Sequence, residues 1–127
     1  MKKLIIEDGL LLTDLKVIFR GKSLSLNRVL VDTGSGGTII STDLAQSIDL
    51  IPEVDDTIYR ISVVGGSEFV FSKMVDTIKI GEAEATDFPL EIGAMNYDFD
   101  LDGIVGLDLL KEMKANINLE KLTIEFS

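Results

Sequence analysis

Short apolar runs of Val, Ile, Leu, Phe and Thr, each ending at a glycine or a charged pair, recur along the chain. Runs of this length and alternation predict strands joined by tight turns rather than helices. Leu10 to Phe19 reads as one strand and Arg20-Gly21-Lys22 as its turn. From Ser23 the chain alternates through Leu24 and Leu26 into Val29-Leu30-Val31, then breaks at Asp32-Thr33-Gly34-Ser35-Gly36-Gly37, where a loop is required. Thr38-Ile39-Ile40 resumes an apolar strand. Ser41 or Thr42 can cap a short helix through Ile48, with Asp43 well placed in its first turn.

Further on, two strand-like runs between Thr57 and Ile80 flank Gly65-Gly66, a dipeptide suited to the positive φ values of a two-residue turn, which predicts a long hairpin. Asp87-Phe88-Pro89-Leu90 predicts an edge or irregular strand, because Pro89 has no N–H for a ladder. After Gly106, Leu109, Leu110 and Met113 fall on one face of a helix. A closing hairpin runs from Asn116 to Leu119, turns at Glu120-Lys121 and returns through Phe126, with Leu122, Ile124 and Phe126 on one face. That face serves either the chain's own core or an interface between copies. No internal repeat or linker stands out, and one domain over residues 1–127 is expected.

Composition narrows the chemistry. Of 127 residues, 46% are hydrophobic and 27% charged, as in a globular chain. The formal net charge of −10 argues against a sequence-independent grip on nucleic acid or on an anionic membrane surface. With no Cys and no His, the chain has no thiolate nucleophile, disulfide, Cys/His metal site or Ser-His-Asp relay. Carboxylates, hydroxyls and lysines remain. Met1-Lys2-Lys3-Leu4-Ile5-Ile6 meets Glu7-Asp8-Gly9 too soon for a signal segment, no apolar stretch reaches membrane-spanning length, and a cytoplasmic location is expected.

Asp32-Thr33-Gly34-Ser35 directly follows a buried-looking strand, so a carboxylate is delivered to a tight turn. Alone, Asp-x-Gly favours an ordinary Asx turn. Some seventy residues later comes Ile104-Val105-Gly106 with a short helix after it, and the Gly65-Gly66 hairpin lies between the two. Together and in this order these elements resemble the retropepsin-like aspartic proteases, over roughly Leu24 to Phe126. The resemblance implies an all-β, closed-barrel acid protease fold with a glycine-tipped flap and one or two short helices. It implies an aspartic endopeptidase in which Asp32 is the catalytic aspartate, Thr33 ties the two active-site loops together and the Gly34 backbone lies beside the substrate. Ser35, Ile104, Val105 and Gly106 would support the loop, and Val63, Val64, Gly65, Gly66 and Ser67 would form the flap tip over a bound peptide. Because the chain has a single Asp-Thr-Gly, a two-aspartate site requires a homodimer, with a peptide or protein as substrate and neither metal nor cofactor.

Two positions depart from the retroviral pattern: Gly36 and Leu107 stand where many such enzymes carry an acid and an arginine that pair near the substrate. Tyr59 lies too far from the glycine tip to match the flap tyrosine of two-lobed pepsin-like enzymes and reads as strand packing. Asp98-Phe99-Asp100-Leu101-Asp102-Gly103 fits the first half of a calcium loop, but Leu109 occupies the place of the closing glutamate. The Ser35 hydroxyl is expected to donate to the Asp32 carboxylate, favouring its ionised form and an acidic optimum. The alternative is a catalytically silent, dimeric peptide-binding or assembly module of the same fold.

Overall fold

The structure is a computed structural model that describes residues 1–63, 66–95 and 100–127. Strands dominate, in the order β1 (Lys2–Lys3), β2 (Ile5–Glu7), β3 (Leu10–Phe19), β4 (Lys22–Val31) and β5 (Ile39–Ser41), followed by the short helix α1 (Thr42–Ala45) and a 3₁₀ turn at Gln46–Ile48. Then come β6 (Ile58–Val63), β7 (Gly66–Ile80), β8 (Ala83–Gly93), β9 (Gly103–Val105), the helix α2 (Leu107–Glu112), β10 (Ala115–Asn118) and β11 (Thr123–Phe126). The two amino-terminal strands were not legible as strands: Lys2–Lys3 is too short for a period and both isoleucines of β2 are exposed.

Among the described residues, eight strands form one sheet in the order β2-β3-β4-β9-β5-β8-β7-β6, and β3 pairs with β7 as well. The run β3-β4-β9-β5-β8-β7 therefore returns to its starting strand. A smaller sheet, β1-β11-β10, brings the chain's two ends together. The pairings that matter most are parallel and antiparallel neighbours of β9: Val31 pairs with Val105 in parallel, and Ile39 pairs with Ile104 in antiparallel fashion. β9 thus lies between β4 and β5, so the loop 32–38 has to leave one side of it and return on the other.

These central strands are apolar on both faces, which explains their continuous runs. Val29, Val31, Ile40 and Val105 enter the main core with Leu26, Leu90, Ile92 and Leu109. The alternate residues Leu30, Ile39 and Ile104 face a second cluster with Leu12, Val70, Met95 and Leu101. Each large side chain buried this way contributes about 1.5 to 3 kcal/mol. Leu109, Leu110 and Met113 are buried on one face of α2 and its following residue, as the spacing predicted. Pro89 lies in β8 opposite Met74, and β5 joins that strand only from Glu91 onward, so the residue without an N–H sits where β8 has one neighbour.

At the carboxyl end the single-face reading fails in detail. Leu122 has φ +52 and stands outside β11, while Thr123 and Ile124 are both buried. Ile124, with no exposed surface, belongs to the chain's own core and is not free to face another copy.

An ion network secures the base of the long hairpin. Lys73 of β7, only 8% exposed, pairs with Glu53 at 2.7 Å and with Asp56, and Glu53 also pairs with Arg20 at 2.9 Å. Hydrogen bonds from Arg20 and Lys73 hold the Glu53 carboxyl at a pKa of about 2, below its ordinary 4.5. Burial favours neutral Lys73, but its bonds to Asp56 and Glu53 outweigh that and raise its pKa. Among the described residues, no helix is long and apolar enough to cross a membrane.

Candidate active site

Asp32 is the first residue past β4, and its N–H donates to the Val105 carbonyl at 2.9 Å, carrying the β4–β9 pairing one residue into the loop. The Asp32 Oδ1 accepts the Gly34 N–H at 2.9 Å, and the Asp32 carbonyl accepts the Ser35 N–H at 3.2 Å. The Asx turn and the delivered carboxylate are therefore one structure. Asp32 is half-buried, while Thr33 and Gly34 are exposed, so the loop presents one edge to solvent.

Ser35 does not do what its position suggested. Its hydroxyl donates to the Gly37 carbonyl at 2.8 Å, not to Asp32. Asp32 Oδ1 takes the Gly34 N–H, and the Ser35 hydroxyl closes the turn on Gly37. The expectation that Ser35 lowers the acidic limb of activity falls with that bond. Ser35 supports the loop in another way, since its carbonyl accepts the Leu107 N–H at 2.7 Å.

Sequence reasoning missed the polar centre of the site. Thr38 is completely buried; its hydroxyl donates to Asp108 Oδ1 at 2.8 Å and accepts the Gly106 N–H at 3.0 Å. The Thr38 N–H reaches Asp108 Oδ2 at 3.3 Å, and the Leu109 N–H reaches Oδ1 at 2.7 Å. Thr38 thereby ties the end of the Asp32 loop to the first turn of α2. The available signal was positional, a threonine six residues after Asp32 and an aspartate two after Gly106, and it has meaning only once β4 and β9 are paired. Gly106 fits here because a methyl group on it would fall 2.8 Å from the Ser35 carbonyl oxygen and closer still to that of Gly37.

Glu91 was missed as well. It interrupts the buried residues Leu90 and Ile92 of β8, and its Oε1 lies 2.5 Å from the point a Cβ on Gly37 would occupy. Burial, then the charges of Asp108 and Glu68, raises its pKa above the ordinary glutamate value.

Residues 16–112 match the family described as "gag-polyprotein putative aspartyl protease". The chain belongs to the retropepsin-like aspartic protease family. DNA damage-inducible protein 1 of Yarrowia lipolytica is 29% identical over 99 residues, covering 77% of this chain and 24% of that protein. The chain thus spans about a quarter of that curated relative. The crystal structure of a retropepsin-like aspartic protease from Rickettsia conorii shares the fold, with a TM-score of 0.64 and 18% identity over 96% of this chain and 86% of that one.

In this retropepsin-like chain the two sequence elements lie side by side: Asp32, Thr33, Gly34 and Ser35 on one loop, and Ile104, Val105 and Gly106 beneath it. Of the expected flap residues, Val64 and Gly65 lie outside the described residues. The flanking register pairs Val63 with Gly66 and Ser62 with Ser67, so Gly66 opens β7 instead of sharing the turn. Tyr59 is half-buried against the second cluster; burial, then the Glu91 charge, raises its hydroxyl pKa against a hydrogen bond with Ser72. Leu107 is 43% exposed beside the loop. Of the calcium-like segment, Asp98 and Phe99 lie outside the described residues. Asp102 Oδ2 accepts the Asn27 and Arg28 N–H groups at 3.0 and 3.1 Å, which engages it with β4. Among the described residues, no group of three or more His, Cys, Asp or Glu is arranged to hold a metal ion.

Proposed function

We propose that the protein is an aspartic endopeptidase working as a homodimer, with one Asp32 from each copy forming the catalytic pair. The observation that carries this reading is the placement of Asp32: a half-buried carboxylate at a strand end, fixed by Gly34 and Val105 yet open along the loop edge. A lone carboxylate supplies one protonation state at a time, whereas hydrolysis of an amide needs a base and an acid together. Two copies of Asp32 across a two-fold axis supply both. At hydrogen-bond range the two cannot both ionise cheaply, so the pair shares one proton, as in other aspartic proteases.

In the proposed cycle the ionised member takes a proton from water as the water oxygen attacks the peptide carbonyl carbon. The neutral member gives its proton to the carbonyl oxygen. Collapse of the resulting diol breaks the C–N bond; the first aspartate passes its proton to the departing amine and the second recovers one from a diol hydroxyl. The pair ends with the single proton it began with. Thr33 would tie the two loops together and the Gly34 backbone would lie along the peptide, under a flap formed by residues 63–67. Gly36 and Leu107 leave this chain without the acid–arginine pair of many retroviral relatives, so the peptide ends would be held differently from those enzymes.

Asp32→Asn is nearly isosteric and can neither accept the proton of water nor share one. It is expected to fold and self-associate like wild type while losing at least a thousandfold of its peptide cleavage, on the order of 4 kcal/mol in the transition state. Cleavage by the purified variant at the wild-type rate would refute the assignment.

A further inference from the structure

Glu91 faces the loop that carries Asp32 and not the main core. Its neighbours Leu90 and Ile92 enter that core, so alternation turns Glu91 toward the side of its β5 partner Ile39 and the second cluster. There its Oε1 occupies the space beside Gly37 that the missing side chain leaves, and its own N–H donates to the Thr38 carbonyl at 3.0 Å. Gly106 closes on Gly37 through the Gly37 carbonyl. The Gly37 peptide is thus held between β8 and the entry to α2, and its carbonyl takes the hydroxyl of Ser35, whose N–H reaches back to Asp32.

Among the described residues, the titratable groups that bear on Glu91 come from three other elements: Asp108 from α2, Glu68 from β7 and the Tyr59 hydroxyl from β6. The Asp108 carboxylate accepts from Thr38 and Leu109, and Glu68 Oε2 accepts the Met95 N–H at 3.1 Å. A negative charge on Glu91 meets two acidic neighbours, whereas the neutral acid meets none of that repulsion. Burial and those charges extend the neutral form into a pH range where a surface glutamate is ionised.

We propose that Glu91 is a positioning residue for Asp32: as a neutral acid its carboxyl packs on Gly37 and braces the catalytic turn, and its ionisation drives it from Asp108 and Glu68 and loosens that turn. This deepens the reading of Asp32 as half of a proteolytic pair and rests on it for an activity readout.

The test is a pH profile of kcat/KM for wild type and Glu91→Gln, which keeps the shape and is neutral at every pH. The alkaline limb is expected to move up by about one pH unit in the variant. A carboxylate acting only through its field on the aspartate pair gives the opposite sign, because removing a nearby negative charge lets the pair lose its proton at lower pH. A limb that stays or moves down overturns the proposal. A second measurement needs no turnover: in ¹⁵N-labelled Asp32→Asn protein, the Gly37 and Ser35 amide shifts are expected to follow a titration that the added Glu91→Gln change abolishes. Amides that titrate identically in both overturn the brace. If wild type cleaves no peptide, the proteolytic reading fails while the amide titration still decides the role of Glu91.

Discussion

Thr38 exposes no surface, yet its hydroxyl makes hydrogen bonds to two residues distant in sequence, Asp108 and Gly106, and that combination sets the cost of changing it. Thr38→Val keeps the shape and removes the hydroxyl, leaving the Asp108 carboxylate short of a donor and the Gly106 N–H short of an acceptor. A buried polar group left unsatisfied costs about 1 to 3 kcal/mol, more where it is charged. Denaturant unfolding is expected to show a loss of about 3 kcal/mol for Thr38→Val and under about 1.5 kcal/mol for Thr38→Ser, which restores the hydroxyl. Equal losses would mean that packing, and not the hydroxyl, holds the loop. Asp32 was legible in the sequence because its neighbours form a motif; Thr38, Asp108 and Glu91 were not, since each gains its partner through strand pairing. Ser35 shows the reverse error: adjacency to Asp32 suggested a bond, whereas the turn directs the hydroxyl to Gly37.

At the scale of elements, the long hairpin was read from Gly65-Gly66 and the alternating runs around it, and β6 and β7 do pair antiparallel, but in a register that places Gly66 in β7 and not in the expected two-residue turn. What could not be read was its anchorage, because Arg20, Glu53, Asp56 and Lys73 come from three separate stretches of chain. This network predicts a specific acid sensitivity. Glu53 has a folded pKa of about 2 against an ordinary 4.5, so its contribution to stability is complete above about pH 4.5 and is lost as pH falls toward 2. Thermal melting across that interval is expected to show a decline in wild type that is shallower in Lys73→Met, which removes one of the two cations acting on Glu53. An unchanged slope would place the acid sensitivity elsewhere. β2 and the β1–β11 pairing escaped the sequence because their side chains are exposed or their runs too short to show a period.

For the molecule as a whole, the mostly β retropepsin-like fold was legible from the order of three elements, whereas the way copies would meet was not. Ile124 illustrates why: its period-two spacing suits an interface and a core equally, and only the packing assigns it to the core of its own chain. Ile124→Ala is therefore expected to cost about 2 to 5 kcal/mol of protomer stability, seen by chemical denaturation, without weakening self-association of the folded fraction by sedimentation. Selective loss of association at unchanged stability would return Ile124 to the interface. The central claim, that two copies of Asp32 make one site, is tested most directly by mixing. Wild-type protein held at constant concentration is titrated with Asp32→Asn protein and allowed to exchange subunits, and peptide cleavage is followed. A site shared between copies predicts that activity falls toward zero as mixed dimers form, to about half of the starting rate at an equal mixture, where half of the wild-type chains have an inactive partner. Activity that stays constant however much Asp32→Asn protein is added would mean that each chain works alone.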